Sequence, residues 1–98
     1  MKQIFKYNFL IGSNNNTHRC EIKKAIDTLN KLNVMGFNVN KNLLGFWNTQ
    51  KENSFNIEVI SNNENPFNDN DARILKTQLE NNLNQFLVLT TKQKINIL

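Results

Sequence analysis

The sequence FKYNFLIGSNNNTHRCEIKKAIDTLNKL, residues 5–32, decides the fold prediction for this chain. Its first part alternates between two sets of side chains, which is typical of a strand buried on one face. The set predicted to face inward is Phe5, Tyr7, Phe9 and Ile11. Gly12 follows and opens a polar loop. The sequence therefore predicts a strand over residues 4–11 with an aromatic inner face.

An amphipathic helix is predicted after this loop. Thr17 or Asn16 is expected to cap it, and Glu21 would place negative charge at the positive end of its dipole. One stripe at helical spacing consists of Ile22, Ala25, Ile26, Leu29 and Leu32 or Asn33. Residues 34–36 are expected to close the helix. Because the first N–H groups of a helix have no intrahelical partner, a helix start behind a loop rich in glycine and hydroxyl groups predicts a ledge for an anion.

Two further strands are predicted in the middle of the chain. The first spans residues 37–47 with an interruption at 40–42, and Gly45 suggests a bulge or a close backbone approach. A polar hairpin loop over 48–53 leads to the next strand, over 54–60. The predicted inward residues of that strand are Phe55, Ile57 and Val59.

A second helix is predicted after a loop over residues 61–70, with Asn68 or Asn70 as its cap. Its predicted apolar face is Ala72, Leu75, Leu79, Leu83 and Phe86. A fourth strand is expected over residues 87–90, and a short terminal strand over 95–98.

The resulting order is β-α-β-β-α-β within a single domain over residues 1–98. Two helices on one face of an antiparallel sheet bury both apolar stripes, and the split βαβ arrangement keeps the crossovers right-handed. The sequence therefore predicts an α+β fold, a ferredoxin-like sandwich with an antiparallel sheet and two helices on one face. The opposite sheet face would be open, so we expect a homodimer or higher homo-oligomer.

Composition favours a folded domain with an anionic partner. Of the 98 residues, 39% are hydrophobic, which suffices for a modest core. The 12 basic and 8 acidic residues give a net charge of +4. The lysines are scattered, whereas duplex-DNA binders usually carry a dense basic stripe. We therefore expect a small anionic ligand or a protein as partner, and no duplex DNA.

Cys20 is the single cysteine, which excludes an intramolecular disulfide and a cysteine-based zinc cluster. No basic-then-apolar leader opens the sequence, and no apolar run approaches membrane-spanning length. We expect a cytoplasmic protein with no membrane partner, no cofactor and no metal site. Cys20 is interpreted as a small hydrophobe under the sheet, with a nucleophile at a helix start as the alternative.

Four short segments carry a resemblance to a known family: FLIGSNNNTH at 9–18, GFNV at 36–39, LLGFW at 43–47 and SFNIEVI at 54–60. Together they resemble a family of short, mostly uncharacterised proteins from bacteriophages and mobile elements, over roughly residues 5–90. The resemblance implies a phage-type accessory protein that counters host defence. It implies no particular chemistry, so it assigns no functional residues.

The predicted ligand-binding residues lie in the first loop and in two strands. They are Gly12, Ser13, Asn14, Thr17, His18, Arg19, Trp47 and Glu58. Gly12, Ser13 and Thr17 would hold a phosphate, although the loop lacks the Walker lysine and the dinucleotide glycine spacings. The alternative is an ordinary strand-to-helix connection with good caps.

The other predicted site residues also have two interpretations. His18 would contact the ligand or act as a general base, or it is an exposed first-turn residue. Trp47 would stack on a nucleobase, which contributes about 1–3 kcal/mol per base, or it anchors the core. Glu58 would accept hydrogen bonds from a ribose, or it is a solvated strand residue.

Three functions remain open from the sequence. The first is a non-enzymatic phage-type binding protein that sequesters an anionic nucleotide-like signal to counter host defence. The second is a protein-binding inhibitor of a host defence enzyme, acting through its sheet or helix surface. The third is a small hydrolase that uses His18 with Glu58 or Cys20. The scarcity of catalytic groups favours the first.

Overall fold

The alternating segment forms β1, Gln3–Gly12, which has a neighbour on each side in a four-stranded antiparallel sheet. β1 pairs with β3, Gln50–Ser61, and with β4, Leu89–Asn96. β2, Phe37–Trp47, pairs with the outer side of β3, so the sheet order is β2-β3-β1-β4.

The structure is a computed structural model that describes residues 3–14, 16–17, 19–47 and 50–96. For residues 3, 42, 44–47 and 50–52 it describes the backbone.

Two helices cover one face of the sheet: α1, Ile22–Lys31, and α2, Asp69–Asn82. The core between helices and sheet includes Tyr7, Phe9, Ile11, Ala25, Leu29, Phe55, Ile57, Val59, Leu75 and Leu79. The side-chain amide of Asn82 donates to the hydroxyl of Thr28 at 3.0 Å and joins the helices. The predicted α+β ferredoxin-like sandwich and the predicted inner faces of both central strands are confirmed.

The two ends of α2 are defined by asparagines. Asn68 caps the first turn by accepting from the N–H of Asp71 at 2.8 Å, and the Asp71 carboxylate accepts from the N–H of Asn68 at 3.0 Å. This reciprocal capping box confirms Asn68 as the cap. At the other end Asn84 adopts a left-handed φ of 52°. Phe86, predicted on the apolar face of α2, is instead 94% exposed because the chain has already turned away from the helix.

α1 is a short helix that ends in a left-handed turn. α1 ends at Lys31, and Asn33 is left-handed with a φ of 58°. The N–H of Val34 donates to the carbonyl of Leu29 at 3.0 Å, so Val34, the first of the residues 34–36 predicted to close the helix, takes part in the turn that ends α1. Within the described ranges, no helix is long and apolar enough to cross a membrane.

The β2–β3 hairpin is longer than predicted. The predicted interruption of β2 is confirmed as a register shift between Asn40 and Leu43, whereas Gly45 pairs with Glu52 without a bulge. The predicted hairpin loop over residues 48–53 is wrong for residues 50–53, since β3 already begins at Gln50, and residues 48 and 49 lie outside the described residues. Strand pairing uses backbone groups, and the polar side chains of this segment do not prevent it.

β4 also differs from the prediction of two short strands over residues 87–90 and 95–98. It is one strand whose side chains are mostly exposed, and it pairs with β1 alone. An edge strand needs little apolar alternation, so residues 91–94, between the two predicted strands, form its centre. Residues 97 and 98 lie outside the described part of the chain.

Candidate functional site

The loop after β1 is organised by the side chain of Asn14. Its Oδ1 accepts from the N–H groups of Asn16 at 2.8 Å and Thr17 at 3.1 Å. Its backbone N–H donates to the carbonyl of Arg19 at 2.8 Å, which closes the loop on itself. Asn14 is only 7% exposed. The buried amide of Asn14 therefore organises the described residues of this loop.

This arrangement corrects the predicted helix start. Thr17 and Asn16 do not cap α1, because their N–H groups are bound to Asn14 in a turn that precedes the helix. α1 begins at Ile22, with Glu21 in the capping position and no side-chain cap bond. The Glu21 carboxylate accepts from the Asn14 amide at 3.0 Å and pairs with Lys24 at 3.0 Å. An acidic side chain thus lies where the anion ledge was predicted.

The loop is attached to the connection between α2 and β4. The side-chain amide of Gln85 donates to the carbonyl of Ser13 at 2.6 Å. Both segments lie where β1 ends, at Gly12, and where β4 begins. Thr17 and Arg19 are exposed on this loop. These residues form what we call the loop end of the sheet: the loop over residues 12–19 and the connection over 83–88.

Trp47 belongs to the same end of the sheet but lies farther out. Ser54 pairs with Gly12 on one side and with Leu43 on the other. Trp47 is the last residue of β2 and pairs with Gln50. At about 3.3 Å per residue, the hairpin extends roughly 13 Å past the end of β1. The stacking role of Trp47 stays a prediction, and His18 lies outside the described residues.

Glu58 is not part of the loop end. It lies near the middle of β3, opposite Asn8, on the sheet face that the helices do not cover. Its carboxylate pairs with Lys6 at 3.1 Å and accepts from the Asn40 amide at 3.0 Å. The hydrogen bond from Lys6, followed by that from Asn40, lowers the pKa of Glu58 below its ordinary value. Its described partners fit a satisfied strand residue better than a ribose ligand.

The described residues offer little for catalysis or metal binding. Among them there is no group of three or more His, Cys, Asp or Glu side chains suited to a metal ion. Cys20 is half-buried and packs against the core, which fits its interpretation as a small hydrophobe.

A polar centre formed by Tyr7, Asp69 and Lys92 is not predicted by any sequence pattern. The hydroxyl of Tyr7 donates to Asp69 Oδ1 at 2.6 Å, and Lys92 Nζ donates to the same oxygen at 2.8 Å. Lys92 also lies 4.3 Å from the ring centroid of Phe5, a cation–π contact. The centre joins β1, α2 and β4, so no local sequence pattern contains it. Only the register that pairs Tyr7 with Lys92 brings it together.

The charges in this centre stabilise each other. The hydrogen bond from Lys92, then that from Tyr7, holds the pKa of Asp69 below its ordinary value. The hydrogen bond to Asp69 raises the pKa of Lys92. Burial, with the bond to Asp69 second, raises the pKa of Tyr7. The carboxylate and the ammonium are therefore both ionised at neutral pH.

Asp69→Asn is expected to lower the stability at pH 7. A carboxyl whose pKa is lower in the folded state stabilises the fold above its unfolded pKa, near 3.9, and loses that contribution as pH falls through the folded pKa. Urea unfolding at pH values from 7 downward should show that the difference in unfolding free energy between wild type and variant becomes smaller below about pH 4. An Asp27→Asn control removes the same charge from an exposed site on α1 and should change little at pH 7. A difference in unfolding free energy that stays constant down to pH 3 would contradict a stabilising role of the ionised Asp69.

Comparisons with known proteins give fold likeness alone. No protein-family profile and no curated protein sequence matches the chain. A structure of CPII, a nitrogen regulatory PII-like protein from Thiomonas intermedia K12 bound to ADP, AMP and bicarbonate, superimposes with a TM-score of 0.62. It is 14% identical, and the match covers 98% of this chain and 93% of that one.

Two other structures give similar results. CPII bound to ADP and bicarbonate matches with a TM-score of 0.59 at 13% identity, over 98% of this chain and 89% of that chain. The divalent ion tolerance protein CutA1 from Ehrlichia chaffeensis matches with a TM-score of 0.55 at 10% identity, over 100% and 86%. The shared fold is ferredoxin-like. It extends over nearly the whole chain, including both helices and all four strands.

Proposed function

We propose that this protein binds a small anionic, nucleotide-like ligand at the loop end of the sheet and performs no chemistry on it. The observation that carries the proposal is the convergence there of three segments: the closed loop over residues 12–19, the connection over 83–88 and the extended β2–β3 hairpin. The fold likeness to a PII-like protein that binds ADP and AMP supports the ligand class.

The groups at the loop end suit such a ligand. Arg19 is an exposed cation on a loop whose backbone is already fixed by Asn14, so little conformational entropy is lost when it binds an anion. Thr17 is exposed beside it. Trp47, the chain's single tryptophan, lies on the hairpin that extends past this end and would stack on a base.

The biological role we propose is sequestration of a nucleotide signal in the cytoplasm of a host cell. This context rests on the resemblance of the chain to short phage and mobile-element proteins. Sequestration requires tight binding and no turnover, which agrees with the few catalytic groups in the sequence. We propose a homodimer or higher homo-oligomer as the working form.

Titration with ribonucleotides tests the ligand proposal. Binding next to Trp47 should change the tryptophan fluorescence saturably, and Arg19→Ala should weaken binding about tenfold, the loss expected for a charge-assisted hydrogen bond. Lys31→Ala, which removes an exposed cation from the far end of α1, should bind like wild type. Equal weakening by both variants would indicate an unspecific effect of net charge.

A second candidate function is favoured by an exposed apolar patch. Phe86, Leu87 and Leu89 are 94%, 60% and 52% exposed, and Leu89 pairs with Leu10, which is 37% exposed. Such a patch suits a protein partner, as an inhibitor of a host defence enzyme would need. A stable complex with a host enzyme that Phe86→Asp abolishes, with no nucleotide affinity, would favour this function over ligand binding.

A further inference from the structure

A cleft between α2 and the edge strand β4 has the character of an anion site separate from the loop end. Its volume is about 260 Å³. It is lined by Tyr7, Asp69, Ala72, Arg73, Lys76, Thr90, Thr91 and Lys92. The α2 residues among these follow the spacing of one helical face, and buried Ala72 keeps the floor low.

Positive charge predominates in this cleft. Three of its side chains are basic, and Asp69 is its only acid. The Oδ1 atom of Asp69 already accepts from Tyr7 and Lys92. Lys76 also lines the cleft. Its Nζ pairs with the carboxylate of Glu80 at 2.7 Å, and Glu80 is not among the lining residues. Both lysines are thus held in ion pairs, and Arg73 supplies the positive charge that no carboxylate of the described residues pairs with.

Arg73 is the group best placed to bind an anion. It is exposed, and no hydrogen bond joins its guanidinium to any side chain in the described ranges, although its charge helps keep Asp69 ionised. A guanidinium offers a planar fork of donors that matches two oxygens of one oxyanion. Lys92 retains donors of its ammonium beyond the one given to Asp69.

The edge strand contributes further donors. β4 pairs with β1 alone, so alternate backbone N–H groups on its outer edge have no partner in the sheet. The hydroxyl of Thr90 donates to the carbonyl of Val88 at 3.1 Å, whereas Thr91 is exposed. Several cations around one small cleft suit a dianion better than a monovalent carboxylate.

We propose that the cleft between α2 and β4 binds a phosphate group, with Arg73 as its bidentate anchor and Lys92 and Lys76 on either side. The site is distinct from the loop end. Lys92 pairs with Tyr7, five residues along β1 from Gly12, which corresponds to roughly 16 Å of strand. Phosphate binding here does not require that a nucleotide bind at the loop end.

Amide-resolved NMR titration of the full chain with inorganic phosphate, at constant ionic strength, tests this site. Saturable shifts are expected at residues 72–76 and 90–92. Arg73→Gln should weaken phosphate binding about tenfold, as expected for loss of a charge-assisted pair. Lys23→Gln is the control, because it removes an exposed cation from α1, does not touch the cleft lining, and should leave phosphate binding at the cleft unchanged.

The outcomes separate this proposal from the one for the loop end. Saturable phosphate shifts in the cleft that Arg73→Gln removes would support the cleft even if no nucleotide binds at the loop end. A parallel titration with AMP distinguishes a free phosphate from a nucleotide phosphate by whether the loop residues also shift. Shifts that do not saturate, or equal weakening by both variants, would overturn the cleft proposal.

Discussion

Phe9→Ala is expected to lower the free energy of unfolding by about 3–5 kcal/mol, the usual cost of truncating a buried phenylalanine. Phe9 is fully buried on an inner strand, and its ring lies edge-on to Phe67 with centroids 6.4 Å apart. Its replacement leaves a cavity between the sheet and α2. Since domains of this size are typically stable by about 5–15 kcal/mol, a large part of the stability would be lost.

Chemical unfolding of Phe9→Ala beside Phe86→Ala measures this effect with a matched control. Both variants remove the same ring, but Phe86 is 94% exposed and its truncation should change the unfolding free energy by less than about 0.5 kcal/mol. Comparable losses in the two variants would mean that Phe86 is covered in solution, by a second copy or by another part of the chain. A small loss for Phe9→Ala would contradict the described core.

Asn14→Ala is expected to disorganise the loop end, with a stability loss of about 2 kcal/mol from three broken hydrogen bonds. The loss is moderate because Asn16 and Thr17 are exposed and water can replace Asn14 as their acceptor. The effect on ligand binding should be larger. A loop that is no longer fixed must be ordered when the ligand binds, which weakens affinity about tenfold or more.

Two related variants identify the cause. Asn16→Ala changes an exposed side chain of the same loop and should preserve both stability and binding. Asn14→Asp keeps the acceptor for Asn16 and Thr17 but places a second carboxylate against Glu21, where Asn14 donates at 3.0 Å. Its stability should fall between those of wild type and Asn14→Ala near neutral pH. Unchanged binding by Asn14→Ala would separate the ligand site from this loop.

The elements with a one-sided burial pattern were predictable from the sequence. The alternation in β1 and β3 and the capping residue Asn68 of α2 correspond to buried inner faces and an observed capping box. In each case the pattern lies within a few neighbouring residues, so the sequence alone indicates which residues are buried or which residue caps the helix. The fold class followed, because the order of these elements permits few arrangements.

The elements that were predicted wrongly depend on contacts distant in sequence or on turns. β4 is an edge strand with one neighbour, so its sequence does not show the alternation of apolar and polar residues by which a strand is predicted. The start of α1 is displaced by the turn around Asn14, and the end of α2 by the left-handed Asn84. Asparagine fits caps, turns and left-handed positions alike, so its abundance in the chain did not show which role each one has.

The candidate sites divide in the same way. The loop over residues 12–19 was identified as a unit, and its members Gly12, Ser13, Asn14, Thr17 and Arg19 lie together. The ligand binding predicted for these residues stays a prediction, and Asn14 and Glu21 occupy the expected ledge. The cleft with Arg73 and Lys92 was not predicted, because its residues come from α2 and β4 and meet only through the sheet register.

Native mass spectrometry of the gently purified protein, after incubation with nucleoside mono-, di- and triphosphates and cyclic nucleotides, tests whether the protein sequesters a nucleotide. We expect one nucleotide to be retained in fixed proportion to the number of chains and to be released unchanged on denaturation. The same spectrum gives the oligomeric state. The proposal of sequestration without turnover would be contradicted if the chains retain none of these compounds, or if a retained compound is released chemically altered.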